Sequence, residues 1–169
     1  MVTVKNKIIK NFFSKEELEV LQKYCYNKLN VNKDYTVHYS VESPGWYDDA
    51  LMNSFLETKL PLLEEQSKLK LFPTYAYWRY YVFGGKLKKH TDRPACEVSV
   101  TVCIKKYDNW RPGIYKGEGM AQVFFHYVNK NGPFTHHQYD NVFINTSTQG
   151  TPEDFEIKKL RLKELKKNK

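Results

Sequence analysis

Apolar residues recur at helical spacing in the first part of the chain and alternate with polar ones in the second. Leu18, Leu21, Cys25 and Leu29 form one stripe with a charged opposite face, and Ser14 with Glu17 three residues later supplies a capping box for the helix that carries it. A turn-rich stretch ends at Ser43-Pro44-Gly45, and a second helical region follows from Asp48 to Ser67. Pro61 must interrupt that region or open a new helix within it. The looser alternation from Val2 to Phe13 predicts an opening strand. From Tyr75 onward the period predicts strands over Tyr75–Phe83, Glu97–Ile104 and Met120–Tyr127, with Gly84-Gly85 as a turn. In the run from Cys96 to Ile104, alternation puts Cys96, Val98, Val100 and Val102 on a packed face. Glu97, Ser99, Thr101 and Cys103 then lie on a polar face suited to lining a pocket. Helices followed by antiparallel-looking strands predict an α+β fold, with the helices covering a sandwich or barrel.

Composition narrows this picture. A chain of 169 residues suits one domain with a real core, and 13 Tyr and 10 Phe can build that core with few Leu and Val. We read residues 1–150 as a single domain and 151–169 as a basic helical or frayed tail. The formal charge of +8 raises the question of an acidic partner. Between Ile157 and Lys169, however, seven basic residues stand against Glu164 alone, so most of the excess belongs to the tail. No basic-aromatic interleaving marks a binding face, which argues against a nucleic-acid module. Cys25, Cys96 and Cys103 are an odd set without metal-site spacing, which predicts free thiols in a reducing compartment. No leader-like segment opens the chain and no apolar run approaches a membrane span, so a soluble, cytoplasmic protein without a membrane partner is expected.

The candidate chemistry sits at His90-Thr91-Asp92. If these residues open a strand, His90 and Asp92 point the same way and offer an imidazole nitrogen and a carboxylate oxygen to one ion. That is part of the 2-His-1-carboxylate set that leaves open positions on non-haem Fe(II). The alternative is a solvated turn in which Asp92 caps Arg93-Pro94.

The surroundings of these residues resemble a known family. The stretch Leu71-Phe72-Pro73-Thr74-Tyr75 through Tyr80-Tyr81-Val82-Phe83-Gly84, followed by Leu87, His90, Asp92, Arg93, Ala95-Cys96-Glu97 and Ser99, is similar to the Fe(II)/2-oxoglutarate dioxygenases. The likeness is to the prolyl-4-hydroxylase-like group, in particular its phage and marine-bacterial members. Ile8 to Ser14 before the first helix and Ala121 to Val128 also fit, so the resemblance spans roughly residues 5 to 140. It implies a double-stranded β-helix, jelly-roll or cupin-like, with N-terminal helices packed on the sheet. It further implies iron held by His90, Asp92 and a distal histidine, with 2-oxoglutarate as co-substrate, ascorbate as a further candidate cofactor, and O2. The expected reaction is hydroxylation of an unactivated C–H bond in an amino acid, peptide or other small metabolite.

The chain departs from that pattern where the distal histidine belongs. It passes from Ile104-Lys105-Lys106-Tyr107-Asp108 directly to Asn109-Trp110-Arg111-Pro112, with Asn109 in the histidine's place and about thirty residues of the family's usual insert missing. An amide oxygen is a poor substitute for imidazole at Fe(II). His136 and His137 are the candidates for a third ligand, although no Lys or Arg lies between His137 and Lys158 to take the co-substrate's far carboxylate. Arg111 and Lys116 are the cations that match the family's post-histidine segment. Tyr81 occupies the place of a tyrosine facing the co-substrate, with a core aromatic as its alternative role. His126 reads as a strand-face or core histidine. Two functions remain open: the oxygenase, and a catalytically inactive β-helix domain that binds a ligand or protein.

Overall fold

The computed structural model describes residues 6–32, 36–38, 43–82, 91–107 and 119–140. Helix α1 covers Lys15–Asn27, and both halves of its capping box form. The Glu17 amide donates to Ser14 Oγ at 3.1 Å, while the Ser14 amide donates to a Glu17 carboxylate oxygen at 2.7 Å. Leu21, Cys25 and Leu29 are buried, as the helical stripe requires. Pro61 divides the second helical region. Helix α2 (Ala50–Thr58) ends before it, and α3 (Leu60–Ser67) takes it into its first turn, where its missing N–H costs nothing. Asp49 caps α2 by accepting from the amides of Leu51 and Met52 at 3.1 and 3.2 Å. Lys68, in the left-handed region at φ 60°, ends α3.

The predicted opening strand is not found over residues 6–13. Asn11 turns the backbone at φ 55°, and the adjacent Phe12 and Phe13 are both buried. Strand alternation would have sent one of them to solvent, whereas the turn lets both reach the core, with Phe13 edge-on to Phe55 at 5.0 Å and Phe12 6.1 Å from Phe125.

Five strands form one antiparallel sheet: β1 (Thr36–His38), β2 (Ser43–Tyr47), β3 (Leu71–Val82), β4 (Val98–Tyr107) and β5 (Gly119–Asn129). Their order across the sheet is β1-β2-β3-β5-β4, so the last strand inserts between the two before it. Strand β3 begins earlier than its alternation predicts, because a register shift between Pro73 and Tyr75 absorbs the proline. The fold is α+β. One sheet face carries the main core, including Trp78, Tyr80, Val123, Phe125 and Tyr127, packed against the helices with Val98, Val100 and Val102. The other carries a second cluster of Tyr75, Tyr77 and Ala95, joined by Tyr47, Cys96 and Phe124. Cys96 therefore belongs to the face opposite the one its sequence position predicts. A 3-10 turn over Pro94–Cys96 precedes β4 and breaks the alternation one residue too early for it.

Candidate functional site

The second sheet face is built by alternation. On β3, Tyr75, Tyr77, Arg79 and Tyr81 share it, and the pairing sets them in rows across the sheet. Tyr75 pairs with His126, and His126 with Ser99. The next row is Tyr47, Tyr77, Phe124 and Thr101, and the one after it Gly45, Arg79, Gln122 and Cys103.

At the Tyr75 row, His126 is buried with its ring 4.7 Å from that of Tyr75 and its Nδ1 2.9 Å from Ser99 Oγ. Burial pushes its pKa down to about 4, and the nearby Asp92 carboxylate opposes that shift. His126 is thus neutral at pH 7, as a satisfied strand-face histidine should be. The Tyr75 hydroxyl lies 3.2 Å from Cys96 Sγ, and burial raises the thiol's pKa to about 11. A thiol so held is inert rather than nucleophilic.

At the other end, Arg79 is 4% exposed. Its Nε donates to the Tyr77 hydroxyl, and its guanidinium lies 5.1 Å from the Tyr77 ring centroid and 5.7 Å from that of Tyr81. Tyr77 can lean towards it because β2 presents a glycine there: a Cβ on Gly45 would collide with the Tyr77 hydroxyl and stand 3.0 Å from two of its ring carbons. Burial raises the Tyr77 phenol's pKa, with Arg79 pulling the other way.

The sequence candidates are distributed unevenly. Asp92 is exposed and sits in the irregular segment Thr91–Arg93, which leads into the Pro94–Cys96 turn rather than opening a strand. The alternation argument that paired it with His90 therefore does not apply to it. His90, Asn109, Arg111 and Lys116 lie outside the described residues, as does the basic tail. Tyr81 is half-buried on the tyrosine face. His136 and His137 share the 3-10 turn Thr135–His137 after β5, ring centroids 4.3 Å apart, with His136 exposed and His137 buried. His137 Nδ1 is 2.8 Å from an Asp140 carboxylate oxygen, and the same carboxylate pairs with Arg93. Arg93 also covers the Tyr75 ring at 5.4 Å. An ionic link thus ties the turn bearing His137 to the segment bearing Asp92.

For iron, the side-chain types suit: a carboxylate, and an imidazole whose other nitrogen is held by a carboxylate in the manner of many metal-ligating histidines. Among the described residues, no group of three His, Cys, Asp or Glu side chains is gathered to hold a metal. Two features escaped the sequence reading. The alternation of Tyr75, Tyr77, Arg79 and Tyr81 was enough to mark a cation on a tyrosine face, whereas nothing in the sequence pairs Arg93 with Asp140. A shallow groove of about 400 Å3 lined by Gln22, Lys23, Tyr26, Asn27 and Lys105 lies apart and contains none of these residues. No described helix is long and apolar enough to cross a membrane. No family model, curated protein or solved structure matches the chain.

Proposed function

We propose that the chain is an Fe(II)/2-oxoglutarate-type oxygenase that hydroxylates a C–H bond of an amino acid, peptide or small metabolite. On this reading the five-stranded sheet is one of the two sheets of a double-stranded β-helix. His90 and Asp92 are two of the iron ligands, and His137 rather than His136 is the third. The observation that supports it is the Arg93–Asp140–His137 link, which ties His137, with a carboxylate against its ring, to the Asp92 segment. Bound iron and co-substrate would supply the oxidising chemistry. The chain's own part is to hold ligands and keep the site dry. Asp140 fixes the His137 ring through Nδ1, Arg93 holds Asp140, and the Tyr75 and His126 rings exclude water beside them.

The test is an anaerobic Fe(II) titration by equilibrium dialysis on the full chain, followed by 2-oxoglutarate decarboxylation. Removing any one of His90, Asp92 or His137 should weaken iron binding on the order of 10- to 100-fold or more, whereas His136→Ala should leave it unchanged. Undiminished affinity in Asp92→Ala would overturn the assignment.

The second reading is a ligand-binding domain without redox chemistry. It is favoured by the Arg79 end of the tyrosine face, which is assembled without any candidate metal ligand. A chain that binds organic ligands yet no Fe(II) would decide for it.

A further inference from the structure

The groove between α1 and β4 takes no part in the proposed metal site. Gln22, Lys23, Tyr26 and Asn27 line it from α1 and Lys105 from β4, over about 400 Å3. Its two walls are joined at one point. The register shift between Cys103 and Lys105 leaves Ile104 without a partner residue on β5, and the Ile104 carbonyl accepts from the Gln22 side-chain amide at 3.0 Å. The same shift sets Lys105 opposite Ala121, a residue of the helix-covered core, so that Lys105 joins α1 in lining the groove.

The charge of this groove is one-sided. Lys23 and Lys105 are exposed, stand on opposite walls and form no ion pair among the described residues. Among the described residues no carboxylate lines the groove, and Glu19, one turn before Lys23 on α1, makes no ion pair with it. Two lysines on separate walls favour an anion that spreads its charges along a length over one that concentrates them at a point. Exposed Val20 and Tyr26 lie three residues to either side of Lys23 and add apolar surface along the same side of the helix. An occupant that fits both features is acidic and partly apolar.

The sheet edge favours a peptide. In the order β1-β2-β3-β5-β4, β4 is the outer strand, and among the described residues it has a strand on one side only. Such an edge offers amide and carbonyl groups that match an extended peptide backbone. A single-stranded nucleic acid would instead call for successive bases stacked on aromatic rings, and among the described residues Tyr26 is the one aromatic lining the groove.

We propose that the groove between α1 and β4 docks an extended acidic segment of a partner protein, with Lys23 and Lys105 meeting its carboxylates and Tyr26 covering an apolar side chain between them. The groove shares no residue with the proposed metal site, so this docking stands whether or not the chain is an oxygenase.

The probe is a short fluorescent peptide of alternating glutamate and valine, followed by anisotropy on the full chain at low salt. It should bind saturably and weaken as salt screens the exposed charges, while the same peptide with glutamine for glutamate should not bind. Lys23→Gln or Lys105→Gln should weaken binding roughly 2- to 5-fold, the range of one exposed ion pair. Reversing both lysines to Glu should weaken it on the order of 10-fold or more, because like charges then face each other. Both side chains are exposed, so the variants should unfold at the wild-type midpoint. Should the double reversal not fold, the two single changes carry the test. Asp92→Ala should leave peptide binding unchanged, so failure of the metal assignment and failure of this one are read separately. Absence of saturable binding, equal affinity for the glutamine peptide, undiminished affinity in the folded lysine variants, or tighter binding of single-stranded RNA through the same lysines would overturn the proposal. Self-association of the chain, seen by sedimentation and lost in the double reversal, would also overturn it by giving the groove to a second copy.

Discussion

The two faces of the sheet bury chemically different sets of side chains. The helix-covered face is mainly apolar: Trp46 stacks on Trp78 at 3.9 Å, and the one buried side-chain polar atom without a partner in the described residues, Trp78 Nε1, lies there. The tyrosine face buries fewer rings and links polar groups between them, Arg79 Nε to Tyr77, Tyr75 to Cys96 and His126 to Ser99. The tyrosine face also buries an arginine and a histidine, each 6% exposed or less. The same strands thus carry two chemically different faces, because strand alternation separates the two sets of side chains.

Mutation should break this contrast most visibly at Trp78. Trp78→Ala removes a fully buried ring from the main core and should cost about 3–5 kcal/mol in denaturant unfolding, against roughly 1 kcal/mol for Tyr77→Phe, which loses one hydrogen bond on the other face. Equal costs would show that both faces are simply core.

The next effect is that of pH. His126 is pushed down to about 4 by burial from an ordinary 6.5, so the unfolded chain takes up a proton at a higher pH than the folded one. Its contribution is fully present above pH 6.5 and is lost as pH falls towards about 4, amounting to roughly 3 kcal/mol at most. Unfolding measured between pH 7 and 4 should show that slope, and His126→Gln should flatten it. Replacing Asp92 by Asn should lower the His126 titration midpoint further, seen by NMR of the ring protons, because the carboxylate is what opposes the shift.

A smaller effect tests the cap that orients α1 on the apolar face. Ser14→Ala should cost about 1 kcal/mol and leave the His126 titration midpoint unchanged, which separates the two faces. The smallest belongs to Cys103, exposed at the rim of the tyrosine face. Cys103→Ser should change stability by no more than about 0.5 kcal/mol.

Much of the architecture was legible in local chemistry. The Ser14–Glu17 box, the stripe through Leu21 and Cys25, the break at Pro61 and three of the strands are decided within a few residues of chain, and they stand where their patterns predict apart from the early start of β3 at Leu71. The misses are equally instructive. Phe12 and Phe13 leave the strand period because the core accepts both rings once Asn11 turns, and Cys96 changes face because Pro94 opens a helical turn.

The candidate site was legible only in part. Asp92 could be singled out by type and spacing, Tyr81, His136 and His137 only through the resemblance to a known family, and the tyrosine face with Arg79 is implied by alternation alone. Distant partnerships could not be read this way. Arg93 and Asp140 are 47 residues apart, Ser99 and His126 are 27 apart, and Gly45 makes room for a ring on another strand. The chain by itself determined the periods, caps and breaks, because those follow from backbone sterics and short-range hydrogen bonding. Only the tertiary structure decided that β5 lies between β3 and β4, that Asp140 meets both Arg93 and His137, and how deeply Arg79 is buried. Those outcomes depend on which strands pair and in what register, and pairing is a contest among long-range contacts that no single segment encodes.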